Sequence, residues 1–273
     1  AKAIVESKAA DFKSEEAAAN FFYAFVGYLR DKVRVVSLTV PTDGAAYSIF
    51  ETLNDRGLTL APLDLIKNLV FSRIDGNKNF KLDHAQDRWT EMLALLQNVD
   101  PNKFIRVFWL ANHDLVQGPK IFAEFKETYK TASAANEASK SLRTAAEYYA
   151  GLSNADDPIW STHTKKTRRI LSSLNVIGAT QIHPVLLAMP HKQFSANVLE
   201  DTVRALETVL VRYQLVGTGR PGTLERLGAK VAKRITDGDI TSAAQIRAEY
   251  KEIMTSDEEF TSAFSRFSEP TAS

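Results

Sequence analysis

The sequence predicts a mainly α fold, a multi-helical bundle with one residual strand near 33–40 left from a truncated α/β domain. Three observations predict it. Apolar residues recur at three and four positions through most of the 273 residues, the period of a helix with one buried face. Glycine is scarce, at 12, so loops are few. Only one segment alternates with period two: Val36, Leu38 and Val40 interleave with Ser37 and Thr39 before Pro41, as a half-buried strand does. A lone strand leaves unpaired backbone groups, so residues 33–40 are expected to pair outside this chain's own helices.

The elements follow in order. Ser14 caps a first helix whose opening turn carries Glu15 and Glu16, with Phe21, Phe22, Phe25, Val26 and Leu29 on one face. After the strand, Asp43 starts a helix that stops near Asp55–Arg56–Gly57. Pro62 sits at the first position of the next, with Leu63, Ile66, Leu69 and Val70 inward. Asp75–Gly76–Asn77 is a turn. Further helices are expected at about 83–97, 101–112 (capped by Asp100 and opened by Pro101), 118–130, 135–152, 165–175, 184–189, 195–216, 222–235, 240–254 and 257–267. A soft division near 76–82 separates a strand-containing part, 1–76, from an all-helical part, 77–273.

Composition excludes several function classes. Thirty-four Lys and Arg against 33 Asp and Glu give a formal charge of +1, which argues against a globally basic nucleic-acid binder but not against a local patch. With no cysteine, a disulfide framework, a thiol nucleophile and a Cys-ligated zinc site are ruled out. No apolar run approaches the roughly 20 residues of a membrane-spanning helix, and no signal-peptide pattern opens the chain. A cytoplasmic location is the default expectation. The absent initiator Met leads to the expectation that Ala1 is internal to a longer protein.

No catalytic set stands out. His84, His113, His163, His183 and His191 never fall three to five residues apart, and metal-ligand spacing is absent. His183 precedes Pro184 at a helix start, where capping or packing is its expected role. Glycine-rich phosphate loops and Gly-x-Ser-x-Gly are missing.

One segment concentrates polar groups at a helix–helix corner. Glu51, Asn54, Asp55 and Arg56 cluster where one helix ends, and Asp64, Lys67 and Asn68 ride the start of the next. Two readings fit that spacing. In one, the corner is structural, held by an Asn54 cap and an Asp64–Lys67 pair. In the other it is a shelf where Arg56 and Lys67 meet a phosphate and Asn54 reads a polar group.

Basic residues gather twice more. Lys165, Lys166, Arg168 and Arg169 form one cluster. Between residues 204 and 234, Arg204, Arg212, Arg220, Arg226, Lys230, Lys233 and Arg234 face only Glu207 and Glu225. A solvated helix face explains such runs. A phosphate-contacting surface that holds DNA through Lys165, Lys166, Arg168, Arg169, Arg212, Arg226, Lys230 and Lys233 is the functional alternative.

The stretch from Phe50 to Asn68, Phe-Glu-Thr-Leu-Asn-Asp-Arg-Gly-Leu-Thr-Leu followed by Asp-Leu-Ile-Lys-Asn, resembles a motif of the GmrSD-type modification-dependent restriction endonucleases and their relatives with a ParB/sulfiredoxin-like domain. Asp87–Arg88–Trp89, Phe104–Ile105–Arg106, the 182–189 segment and Val211–Arg212–Tyr213 follow in the family's order. The resemblance implies that residues 1–76 end a ParB-like nucleotide-binding domain. It implies a nucleotide- or phosphate-binding role for Glu51, Asn54, Asp55, Arg56, Asp64, Lys67 and Asn68. The implied partners are the chain's own N-terminal ParB-like and C-terminal nuclease domains, and DNA; the implied cofactor is a nucleotide with Mg in the full-length protein, none in this chain.

The sequence departs from the family in two places. Asp43–Gly44, Asp75–Gly76 and Asp237–Gly238 are not followed by Gln-Gln-Arg, and a His-Asn-His-type motif is missing. Ala61 also stands where relatives often carry a Ser or Thr cap. The expectation is therefore a helical module of a DNA-directed restriction or defence protein that alone neither hydrolyses nucleotide nor cuts DNA. The rival is a stand-alone helical protein-interaction scaffold with no nucleotide or DNA role.

Overall fold

Helix follows helix throughout the computed structural model, which describes residues 12, 14–34, 62–190, 194–217 and 219–266. Twelve α-helices and a π-helical segment occur among these residues, joined by short 3₁₀ turns and with no strand among them. The strand expected at 33–40 lies outside the described residues except for Val33 and Arg34, which are irregular. The helix expected after Asp43 lies outside them altogether. By its contacts the chain divides into two units, Ala1–Pro41 and Thr42–Ser273.

The first unit contains α1, Glu15–Lys32. Ser14 caps it, its side chain accepting from the Ala17 N–H at 3.2 Å. Glu15 and Glu16 sit at the positive end of the helix dipole and Arg30 and Lys32 at the negative end. Ala18 is its one buried residue. Phe21, Phe25, Val26, Tyr28 and Leu29 are exposed, while Phe12, Phe21, Phe22 and Phe25 pack against one another at 5.0–6.5 Å between ring centres.

The first described element of the second unit is α2, Pro62–Ile74, with Pro at its first position as predicted. Ile66, Leu69, Val70, Phe71 and Ile74 are buried. Gly76 takes the expected turn with φ of 69°, which only glycine adopts freely. Next come α3 (Leu82–Leu95), α4 (Pro101–Asn112), α5 (Ile121–Thr128) and α6 (Ala132–Leu152). Asp100 caps α4 through the Asn102 N–H at 2.9 Å. α3 lies along α6, and α2 packs on both and on α5. The division expected near residue 76 therefore passes through one packed group of helices. The small side chains of α6, among them Ala135, Ala138, Ala145 and Ala146, let its neighbours approach closely.

α7 (Lys165–Ile177) ends at Gly178, which is left-handed with φ of 70°. α8, His183–Ala188, is the centre of the unit: all six of its residues are buried. It packs against α4, α6 and α10 (Pro221–Asp237). α9 (Ala196–Val209) contacts α7 and α11 (Ala243–Glu249). α12, Asp257–Phe264, closes the described chain behind a Ser256–Glu259 capping box.

One segment breaks the expected pattern. Spacing predicts a continuous α-helix over 195–216, but residues Leu210–Val216 are π-helical. The Gly217 N–H closes the wider turn on the Arg212 carbonyl at 3.0 Å. A Cβ at Gly217 would lie 2.5 Å from that oxygen and 2.9 Å from the Tyr213 oxygen, so glycine is what lets the chain leave the helix there.

Candidate functional site

Of the predicted corner, Glu51, Asn54, Asp55 and Arg56 lie outside the described residues. The other half is on α2. Its apolar stripe is spent on the core, which turns Asp64 outward and leaves Lys67 and Asn68 half-buried. Among the described residues Asp64 and Lys67 form no ion pair, so that pair of the structural reading is not made. The Lys67 ammonium instead stands 5.8 Å from the centre of the Phe71 ring, at the outer reach of a cation–π contact. Asn102 from α4 accepts from the Leu63 N–H at 3.4 Å, answering one of the donors that every helix start leaves open.

The basic clusters divide by what holds them. At the start of α7, Thr164 and Thr167 donate to Glu200 of α9, at 2.5 and 3.3 Å. Those bonds, chiefly the one from Thr164, hold the Glu200 carboxyl below its usual range. Lys166 and Arg204 lie 3.7 and 3.0 Å from the same carboxylate. Lys165 and Arg169 are exposed, and Arg168 is half-buried with its Nε unpartnered. Arg212 is tied down: it donates to the Thr255 carbonyl at 3.2 Å and to Asp257 at 2.5 Å, and lies 4.7 Å over the Phe260 ring. Lys233 is bonded to Asp237 at 2.5 Å, Lys230 lies 3.7 Å from Glu249, and Arg226 donates to Thr223 at 3.3 Å. The eight predicted cations thus fall on two separate helices and the π segment, and half of them face a carboxylate.

A further site has no counterpart in the sequence reading. One face of α4 from Lys103 to Leu110, the first turns of α10, the end of α6 and the turn before α8 line a cleft of about 310 Å³. Arg106 crosses it to Glu225, with Nε at 2.9 Å and Nη2 at 2.7 Å from the same carboxylate oxygen. Its Nη1 donates to the Val116 carbonyl at 3.4 Å. Lys103 stands exposed at one rim, one helical turn before Arg106. Tyr149 lines the cleft although only 5% exposed. Its ring is 5.4 Å from Phe104 and meets His183 edge-on at 5.7 Å. Burial, and secondarily the Asp100 carboxylate, push its phenol up, so it stays a neutral donor. Behind it, burial pushes the His183 imidazole down to about 4.

No single-sequence signal points to this cleft. Arg106 and Glu225 are 119 positions apart, and each alone reads as a charge on a helix face. Lys103 is the faint clue: a cation in the first turn of a helix opposes the dipole. The chain matches no protein-family model and no curated protein.

Proposed function

We propose that this chain is a helical module of a GmrSD-type, DNA-directed restriction or defence protein. It completes a nucleotide-binding domain through the Phe50–Asn68 motif and couples that domain to a nuclease carried elsewhere. The observation that carries the reading is on α2. Its apolar residues are consumed by the core, whereas Asp64, Lys67 and Asn68 are left outside it without pairing to one another. A corner held by an Asp64–Lys67 pair would join two of those groups to each other. An ammonium and a carboxamide three and four positions from a carboxylate are the chemistry that grips a phosphate and its neighbouring hydroxyls.

The test is nucleotide titration of the full-length protein carrying Lys67→Ala, beside its melting curve. The expected result is affinity weaker by about tenfold or more, equivalent to one lost charged contact, with the melting temperature close to wild type. Unchanged affinity with a large fall in melting temperature would leave the corner with a structural role alone.

A second reading is favoured by α1. From Ala17 to Leu29 it carries no charge, and it exposes Phe21, Phe25, Val26 and Tyr28. Exposed aromatic stripes of that kind mark protein contacts, as a helical interaction scaffold would need. Substituting Phe25→Glu separates the two readings, because it should abolish a partner contact and leave nucleotide affinity unchanged.

A further inference from the structure

We propose that the cleft between α4, α6 and α10 binds a small organic anion, a phosphate or carboxylate head group on a compact apolar body. Three residues that can donate line it. Lys103 is exposed and has no ion pair among the described residues. Tyr149 is only 5% exposed, and its hydroxyl has no hydrogen-bond partner among the described residues and keeps some contact with solvent. Gly222 lines the cleft at the second position of α10. That helix start has no side-chain cap. Pro221 has no N–H, and the Thr223 N–H is already taken by the Arg220 carbonyl at 3.0 Å. The Gly222 N–H is therefore the open donor of the turn, at the positive end of a 17-residue helix.

The charge balance selects an anion. Arg106 and Glu225 neutralise each other, which leaves Lys103 and the helix start as the surplus. Asp100, whose carboxylate acts on Tyr149, is occupied in capping α4. Both Arg106 bonds fall on one Glu225 oxygen, so the other remains free to accept from a ligand hydroxyl. Val107 and Leu110 of α4, Pro184 of α8 and Pro221 of α10 give it an apolar wall, and Thr180 and Gln181 of the turn before α8 add polar groups, the Gln181 Oε1 being buried with no hydrogen-bond partner among the described residues. A volume of about 310 Å³ is at the small end of ligand sites, which fits a single-ring ligand. The Tyr149 hydroxyl has no hydrogen-bond partner among the described residues and is not sealed from solvent, so it is free to donate to a head group placed between it and Lys103. The inference does not rest on the DNA-directed reading, since none of these residues belongs to the Phe50–Asn68 motif.

The experiment is calorimetric titration of the full chain with phenyl phosphate, benzoate, inorganic phosphate and phenol. One or both of the aryl anions should bind saturably, with a Kd below about 1 mM; whichever is tighter identifies the head group. Inorganic phosphate and phenol should each be at least tenfold weaker, because one lacks the body and the other the charge. Lys103→Ala and Tyr149→Phe should each weaken the tighter anion by about tenfold with little change in melting temperature, and its addition should shift the Gly222 amide resonance. Absence of saturable binding by both anions up to about 10 mM, equal affinity for phenol, or affinity untouched by Lys103→Ala would overturn the proposal.

Discussion

His183 shows how much of a residue's behaviour is set by what surrounds it. Its position before Pro184 predicts capping or packing, and packing is what it does: it is buried at the head of α8, edge-on to Tyr149. Burial holds its imidazole neutral down to about pH 4, against 6.5 when solvated. Between those values the unfolded chain binds a proton that the folded chain refuses. This contribution to stability is therefore complete above about pH 6.5, falls as pH drops toward 4, and falls no further below that. A difference of that size corresponds to about 3 kcal/mol. Urea unfolding at intervals from about pH 7.5 to about pH 4 should show the loss in the wild type and a shallower one in His183→Gln, carboxylate titrations being common to both. An identical slope in the two proteins would mean that His183 is not held neutral. The Arg106–Glu225 pair is the opposite case. Nothing local marks it, because its partners meet only when α4 and α10 pack together.

At the scale of elements the sequence is most readable where a cap and a period coincide. Asp100 and Pro101 fix the start of α4, and Phe104, Val107 and Phe108 fix its buried face. Ser14 does the same for α1. The cover of α1 is a tertiary property, however, and its period cannot say whether a face is buried. The π segment was hidden for a similar reason. Leu199, Val203, Leu206, Leu210 and Tyr213 keep helical spacing throughout, while the departure depends on a close backbone approach at Gly217. That approach is testable. Gly217→Ala puts a methyl carbon 2.5 Å from a carbonyl oxygen, and the backbone shift it forces should cost on the order of 1–3 kcal/mol. Gly222→Ala, with nothing within 4 Å of the added carbon, should be neutral or slightly stabilising, since alanine is the better helix residue. Chemical denaturation of the two variants measures both; equal stabilities would show that the Gly217 turn yields without strain.

Across the whole molecule, near-neutral charge forces positive and negative groups to be read by location. The runs of Lys and Arg in α7 and α10 look alike in the sequence, and the structure separates them by their acids. Lys233 is raised above its usual value chiefly by its hydrogen bond to Asp237, and Arg212 is fixed by Asp257 and Phe260. Withdrawing such a cation to meet a phosphate would first break its internal contacts. Lys165 and Arg169 are exposed and make no ion pair among the described residues, although Arg169 lies near enough to Glu207 of α9 to attract its carboxylate. If DNA is held along this face, these two carry the phosphate contacts. Lys165→Ala and Arg169→Ala should then each weaken binding of a duplex similarly for all sequences and lower the slope of log affinity against log salt by about 1. Lys233→Ala should leave that slope unchanged, because its ammonium is already neutralised within the protein. Fluorescence anisotropy of labelled duplex DNA over a salt series measures all three. A slope lowered by Lys233→Ala but not by Lys165→Ala would move the contact surface from α7 to α10, and the absence of salt-dependent binding in the wild type would favour the scaffold reading.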